Sequence, residues 1–332
     1  MEREYPATPM VYPELAHNSQ VVEDLSVLPA EPLVTIRCIT FNHARYIREA
    51  LEGFLRQRTN FPVEILIGDD ASTDGTREIL RQYQAQHPEL IRAVYQTENQ
   101  YSKGLRPWRT LLYKMARGKY LAYCEGDDFW TDPLKLQKQV DFLEAHPGYA
   151  LCFHDANILR EQEQRMDPLR PAVLKPSYTL TDLLHGNFIP MLTVMFRRGL
   201  FGDFPAWYYE MPIGDWPLHI LNAMHGEIGY LPEVMAVYRL HPGGLWSSMD
   251  EPTQRRNEIL VYRKLIANLA PEHRQPLKAG LSRLYHRMAL ESERSGKKAE
   301  ASKQLWQSFV AAPRNPLVST EERRELFKKL WF

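Results

Sequence analysis

The chain has 332 residues, 44% of them hydrophobic and 25% charged, enough for one large domain with an appendage or for two domains. Its formal net charge is zero, so composition points to no nucleic-acid partner, and no apolar run approaches the length of a membrane span. The acidic, proline-containing N-terminus is unlike a signal peptide. The three cysteines, Cys38, Cys124 and Cys152, stand singly in apolar runs and are expected to be reduced core thiols of a cytoplasmic protein.

Residues 1–31 contain four prolines and no sustained periodicity, which predicts an irregular arm. Order then begins at once. Leu33–Ile39 reads as a buried strand, and Ile47, Leu51, Phe54 and Leu55 mark a helix over 44–58. A strand at Val63–Ile67 leads to a helix opened by Asp74-Gly75-Thr76 and running to about His87. A strand at Ile91–Tyr95, a helix at Trp108–Ala116 and a strand at Tyr120–Cys124 follow. Pro133 opens a helix reaching Ala145, at a position where proline is tolerated, and Tyr149–Phe153 is a fifth strand.

This alternation predicts a doubly wound, mostly parallel α/β sheet with flanking helices. Residues 157–176 lack a period and read as a loop over the sheet. Strands return at Leu192–Phe196, Ile228–Leu231 and Val234–Leu240, with a helix after Gly214. From Glu251 onward the pattern is all helical, and Ala289–Pro316 has the look of a single tetratricopeptide-type hairpin, which must pack on its neighbours. The expected organisation is an arm at 1–31, an α/β domain at 32–250 in two halves (32–156 and 157–250), and a helical region at 251–332.

Ligands collect at the carboxyl ends of such strands, so the polar residues there carry the functional reading. The first strand ends Thr40-Phe41-Asn42, the second Gly68-Asp69-Asp70, and the fourth Glu125-Gly126-Asp127-Asp128. Two acidic pairs at neighbouring tips repel unless a cation compensates, and Mg²⁺ or Mn²⁺ shared with substrate phosphates does so directly. Asp74 has a local use at the start of the following helix.

Pro32–Asn42, Ile67–Thr76 and Gly118–Gln139 resemble the nucleotide-binding half of the family 2 glycosyltransferases, the large inverting group with the GT-A fold. The resemblance runs to about His241. It implies that Asp70 accepts a hydrogen bond from a uracil-like base, with Thr40, Phe41 and Asn42 lining the base and ribose site. It implies Asp128 as the principal metal ligand for Mn²⁺ or Mg²⁺, with Asp127 on the ribose or metal. The family's motif is often Asp-x-Asp, and the first position is here taken as Gly126. Lys103, Arg106 and Arg109 fall where family members carry basic residues near the nucleotide.

Ile213-Gly214-Asp215-Trp216 matches the position of the family's catalytic carboxylate at a helix start. Independently, a sugar hydroxyl needs a positioned carboxylate to take its proton. Tyr238-Arg239-Leu240-His241 resembles the closing motif, which assigns Arg239 to the diphosphate or acceptor and His241 to the metal or diphosphate. His154 and Asp155, read as ending the fifth strand, and Trp216, within an aromatic group with Trp207, Tyr208 and Tyr209, are assigned to the sugar or acceptor.

The implied activity is metal-dependent transfer of a sugar from a nucleotide-sugar donor, a UDP-sugar favoured, to a hydroxyl acceptor in polysaccharide, glycolipid or glycan biosynthesis. A silent sugar-nucleotide-binding scaffold and a nucleotidyltransferase are the alternatives; the second usually has a glycine-rich loop after its first strand, and Thr40–Tyr46 has no glycine. From Glu251 onward there are 17 Lys+Arg against 9 Asp+Glu, a net of +8 that leaves the rest at −8. The closing run Arg323–Phe332 is basic and aromatic, so an anionic membrane surface is a candidate partner for these helices.

Overall fold

The computed structural model describes residues 19–103 and 108–331. In the first half, β1 (Ser19–Val22), β2 (Val34–Thr40), α1 (Ile47–Leu55), β3 (Val63–Asp69), α2 (Thr76–Gln86) and β4 (Ile91–Gln96) follow one another. Next come α3 (Trp108–Met115), β5 (Tyr120–Tyr123), β6 (Phe129–Trp130), α4 (Lys135–Ala145), β7 (Tyr149–Arg160) and β8 (Arg165–Leu169). The second half adds β9 (Ser177–Tyr178), α5 (Leu180–Leu184), β10 (Met195–Arg197), α6 (Ala206–Tyr209), α7 (Asp215–Ala223) and β11 (Glu227–Leu240). Four helices close the chain: α8 (Glu251–Asn268), α9 (Arg274–Arg294), α10 (Lys298–Ala311) and α11 (Thr320–Trp331).

The strands form one mixed sheet in the order β1-β4-β3-β2-β5-β10-β7-β11-β6. Strands β4, β3, β2 and β5 run parallel; β10 is inserted antiparallel between β5 and β7, and β11 runs parallel to β7. Each central strand buries both faces, as the near-continuous apolar runs required. Val34, Ile36 and Cys38 of β2 join Ile65 and Ile67 of β3 against α1, α2 and α4. Leu66, Val94, Leu121 and Tyr123 face a second core with α3, α7, α8 and α9. All three cysteines are free and buried.

Three local expectations change through strand pairing, and the strand expected at Leu192–Phe196 begins only at Met195, after a 3₁₀ turn over Met191–Thr193. Residues 1–18 lie outside the described residues, but Ser19–Val22 pairs in register with β4 rather than wandering as an irregular arm. β7 does not stop at Phe153; it runs to Arg160 and pairs with β8, so the first part of the expected loop at 157–176 is a hairpin. The two strands expected around 228–240 are one long strand, β11, with irregular register between Leu231 and Ala236 where Pro232 falls. In each case ladder hydrogen bonds from a neighbouring strand stabilise a segment whose own apolar pattern is too weak to reveal it.

The C-terminal helices pack on the α/β body. Tyr262 of α8 and Arg283 of α9 both hydrogen-bond the carbonyl of His185, at 2.6 and 3.0 Å. α9 and α10 form a helical hairpin whose turn passes through Gly296 in the left-handed region, φ 73°.

Candidate active site

A cleft of about 1280 Å³ opens at the carboxyl ends of β2, β3 and β5 and extends across α7 to α8 and α9. Of the residues singled out from sequence, Thr40, Phe41, Asp70, Arg109, Asp127, Asp128, Asp215, Trp216 and Arg239 line it.

At one end, Asp70 is 2% exposed, and its two carboxylate oxygens each accept a backbone N–H, from Gln100 and Tyr101, at 3.0 Å. Each oxygen keeps a second lone pair for a ligand. Half-exposed Phe41 and Tyr101 flank this position on the cleft wall. Asn42 stands beside the cleft rather than in its wall. With φ 53°, a conformation asparagine tolerates, its N–H donates to the Ser72 hydroxyl oxygen and its side-chain carbonyl accepts the Thr73 N–H. It therefore staples the loop after β2 to the loop after β3. Asp69, the neighbour of Asp70, is spent on an ion pair with Arg77 at 2.8 Å.

The acidic turn after β5 is held from several sides. His241 Nε2 lies 3.1 Å from Asp127 Oδ2, with His43 Nε2 3.7 Å from the same oxygen. The Arg239 N–H donates to Asp128 Oδ1 at 2.8 Å, and its guanidinium donates to the Asp127 carbonyl at 3.0 Å and to Glu49. Arg239 thus fixes the turn through its N–H and Nε and ties it to α1 through Glu49, with Glu161 at 3.8 Å on its other terminal nitrogen. Burial works to raise the Asp127 carboxyl, and the His241 bond with the nearby imidazoles overcomes this and holds it low. Burial and the adjacent charge of Asp127 push Asp128 well up.

No Lys or Arg side chain pairs with the Asp127 or Asp128 carboxylate among the described residues. Nor do three His, Cys, Asp or Glu side chains there form a closed metal cage. Two adjacent hard oxygen donors without a cationic side chain fit a divalent ion whose remaining ligands come from substrate phosphates.

The first position of the acidic motif as read from sequence, Gly126, has no room for a side chain. A Cβ there would lie 2.7 Å from Thr40 Oγ1 and 2.9 Å from Ile47 Cδ1, so the position is sterically closed. The acid one spacer before Asp127 is Glu125, which lines the cleft and pairs with Arg37 at 3.1 Å. Gly126→Asp is therefore expected to lower stability by about 1–3 kcal/mol without tightening metal binding. Denaturant unfolding measures the first effect and Mn²⁺ titration the second; unchanged stability with tighter Mn²⁺ would show that the position accepts a metal-binding carboxylate.

At the other end, Asp215 opens α7. Its Oδ1 accepts its neighbour Trp216 N–H at 2.7 Å and its Oδ2 accepts Asn187 Nδ2 at 3.1 Å. Burial raises its carboxyl above the ordinary value, against the Trp216 N–H, the Arg109 charge and the Asn187 amide. Arg109 donates to the carbonyls of Met211 and Pro212, so it braces the loop that presents Asp215. Trp216 turns its ring N–H to the Leu183 carbonyl at 2.9 Å, and Tyr208 turns its hydroxyl to the Gly214 carbonyl at 3.1 Å. Both buttress the same turn, whereas Tyr209 is exposed and Trp207 packs on the core.

Other assignments fall away from the cleft. His154 and Asp155 sit inside β7; His154 Nδ1 lies 2.7 Å from the Asp155 carbonyl, and Asp155 accepts the Tyr230 hydroxyl at 2.7 Å. Burial keeps His154 neutral. Both are absent from the cleft wall because β7 runs beyond them. Lys103 points to Glu98, and Arg106 lies outside the described residues. Sequence reading gave no role to Glu125, His43, Tyr101, Asn187 or Tyr238, all of which line the cleft. The first two stood beside strand ends already singled out; Asn187 comes from an irregular segment with no signal of its own.

The sequence profile of Glycosyl transferase family 2 matches residues 35–204. The uncharacterized protein Rv1520 of Mycobacterium tuberculosis is 45% identical over 216 residues, covering 65% of this chain and 61% of that protein. The chain thus spans about three fifths of that relative's length. The putative teichuronic acid biosynthesis glycosyltransferase TuaG of Bacillus subtilis is 32% identical over 244 residues, 71% of this chain and 89% of TuaG. Among solved structures, the mannosyltransferase PcManGT of Pyrobaculum calidifontis, in complex with GDP-Man and Mn²⁺, superposes with TM-score 0.58 at 20% identity, covering 90% of this chain and 84% of that one.

Proposed function

The chain belongs to glycosyl transferase family 2, and within that family we propose that it is an inverting, metal-dependent enzyme moving a sugar from a UDP-sugar to a hydroxyl of a growing polysaccharide, glycolipid or glycan. The observation that carries this reading is that Asp70, the Asp127–Asp128 pair and Asp215 line one continuous cleft. The GT-A fold is the frame, and the similarity to TuaG supports a polysaccharide setting.

In this reading the nucleoside lies against Asp70, Thr40, Phe41 and Tyr101, and the diphosphate faces Asp127 and Asp128. These two carboxylates would hold Mn²⁺ or Mg²⁺, with His241 orienting Asp127. A bound ion supplies charge neutralisation for the departing diphosphate. Asp215 takes the proton of the acceptor hydroxyl as its oxygen bonds to the anomeric carbon. The bond from that carbon to the diphosphate oxygen breaks, and the nucleoside diphosphate leaves with the electron pair. Attack from the face opposite the leaving group converts an α-linked donor to a β-linked product.

The test is product analysis with UDP-, GDP- and TDP-sugars and Mn²⁺. Acceptor-stimulated release of UDP supports the reading. Release of pyrophosphate would replace it with nucleotidyl transfer, and binding without turnover across acceptors would make the protein a silent binder.

A further inference from the structure

Five large apolar side chains of α10 and α11 stand in solvent. Trp306, Phe309 and Val310 are 65%, 47% and 59% exposed, and Phe327 and Trp331 are 49% and 62% exposed. They are ordered: Trp306 stacks on Phe309 and Phe327 on Trp331, each pair with ring centroids 6.0 Å apart. The fold makes little use of them, Phe309 alone lying under the Arg323 guanidinium, 6.0 Å from ring centroid to Cζ. The opposite faces of the two helices, Ala301 and Leu305 on α10 and Leu326 and Leu330 on α11, close a small core with Ala289. Arg323, buried between the helices, donates to Ser282 Oγ and to the carbonyls of Pro313 and Ala312. Sequence reading placed the amphipathic surface on the last helix alone. Leu326 and Leu330 in fact pack inward, and the exposed aromatic face is shared by two helices.

Beside this ridge lies a groove of about 360 Å³ between α8, α9 and α10, with Arg256, Arg263 and Lys303 against the single acid Glu300 in its wall and half-exposed Leu260 beside them. Lys303 and Gln307 line the groove on the same helix that carries Trp306 and Phe309, so groove and ridge are contiguous. Among the described residues neither Lys303 nor Lys329 has an ion-pair partner. The surrounding segment carries the net +8.

We propose that this surface docks the protein on an anionic phospholipid bilayer, with the four rings in the headgroup–acyl boundary and the groove's cations against lipid phosphates. Tryptophan and phenylalanine beside lysine is the composition of a helix lying in a membrane interface. The centre of a protein–protein patch is instead depleted of lysine. No described helix is long and apolar enough to cross a membrane, so the contact lies on the surface. The docking stands independently of sugar transfer. If both hold, lipid contact and acceptor wall share a support, because Tyr262 of α8 and Arg283 of α9 line the catalytic cleft.

The experiment is cosedimentation of the full chain with phosphatidylcholine vesicles, with and without phosphatidylglycerol. Wild type should pellet with phosphatidylglycerol vesicles and be released by salt. A variant combining Trp306→Ser, Phe327→Ser and Trp331→Ser should keep its thermal midpoint, these rings being exposed and Phe309 left under Arg323, yet partition ~10-fold or more weakly. A second variant, Arg256→Gln with Lys303→Gln, should lose selectivity for the anionic lipid by roughly fivefold per cation. Equal pelleting by wild type and both variants overturns the proposal. So does wild-type self-association without lipid that the aromatic variant abolishes, which would make the face a contact between copies.

Discussion

Asp215→Asn is expected to lower glycosyl transfer by ~10²–10⁴-fold, the range of a lost general base, while leaving nucleotide affinity intact. The amide keeps the carboxylate's shape and one oxygen, so it can still accept the Trp216 N–H now made by Oδ1 at 2.7 Å. What it cannot do is take a proton. The donor site should not notice, since Asp70 and the Asp127–Asp128 turn are held by their own partners. Calorimetry with UDP and a transfer assay on the same variant separate the outcomes. Wild-type turnover would remove Asp215 from the mechanism; lost UDP affinity would move it to the donor site.

The same residue predicts a pH signature. Burial lifts the Asp215 carboxyl above its ordinary 3.8, so the base is ionised only at a correspondingly higher pH. Rate should climb with pH through that titration, with the acidic limb of kcat/KM above the usual aspartate range. Asn187 donates to the charged form and works against the lift. Its replacement by leucine should move the limb further up, with the rate partly recovered at high pH. A merely structural loop defect would depress the rate at every pH and leave the limb where it was.

What could be read from sequence follows from the range of the interactions involved. β2, β3, β5 and the helices between them bury both strand faces, so they announce themselves as apolar runs, and their ends bring Thr40, Asp70 and Asp127–Asp128 to one edge. The place of Asp215 at the start of α7 was legible because a short Ile-Gly lead and a helical pattern mark it locally. The misses are long-range. Where β7 stops is decided by β8 and β11 pairing with it, so His154 and Asp155 looked like tips and are mid-strand. Asn187 reaches Asp215 across 28 positions of chain. That Gly126 has no room for a side chain follows from its contact with Thr40, which no spacing rule contains.

Asp128→Asn should remove most of the Mn²⁺-dependent gain in UDP affinity, a loss larger than the ~10–100-fold typical of an outer-sphere partner of a metal site. The amide oxygen can still take the Arg239 N–H that Oδ1 accepts at 2.8 Å, so the turn should keep its shape and the protein its fold. The charge is what disappears. With it goes half of an acidic pair that no Lys or Arg side chain contacts directly among the described residues, the Arg239 guanidinium acting on Asp128 only from a distance. Thermal midpoints with UDP alone, Mn²⁺ alone and both together give the measurement, because ligand bound only to the native state raises the midpoint. Wild type should gain most from the combination, and Asp128→Asn should respond to the combination no more than to UDP alone. In chelator the two proteins should bind UDP equally, since Asp70 and its flanking rings are untouched. An undiminished Mn²⁺ gain in the variant would take Asp128 out of the metal site. Paired with Asp215→Asn, which should keep that gain and lose turnover, the result divides the one cleft into a donor end and a proton-accepting end.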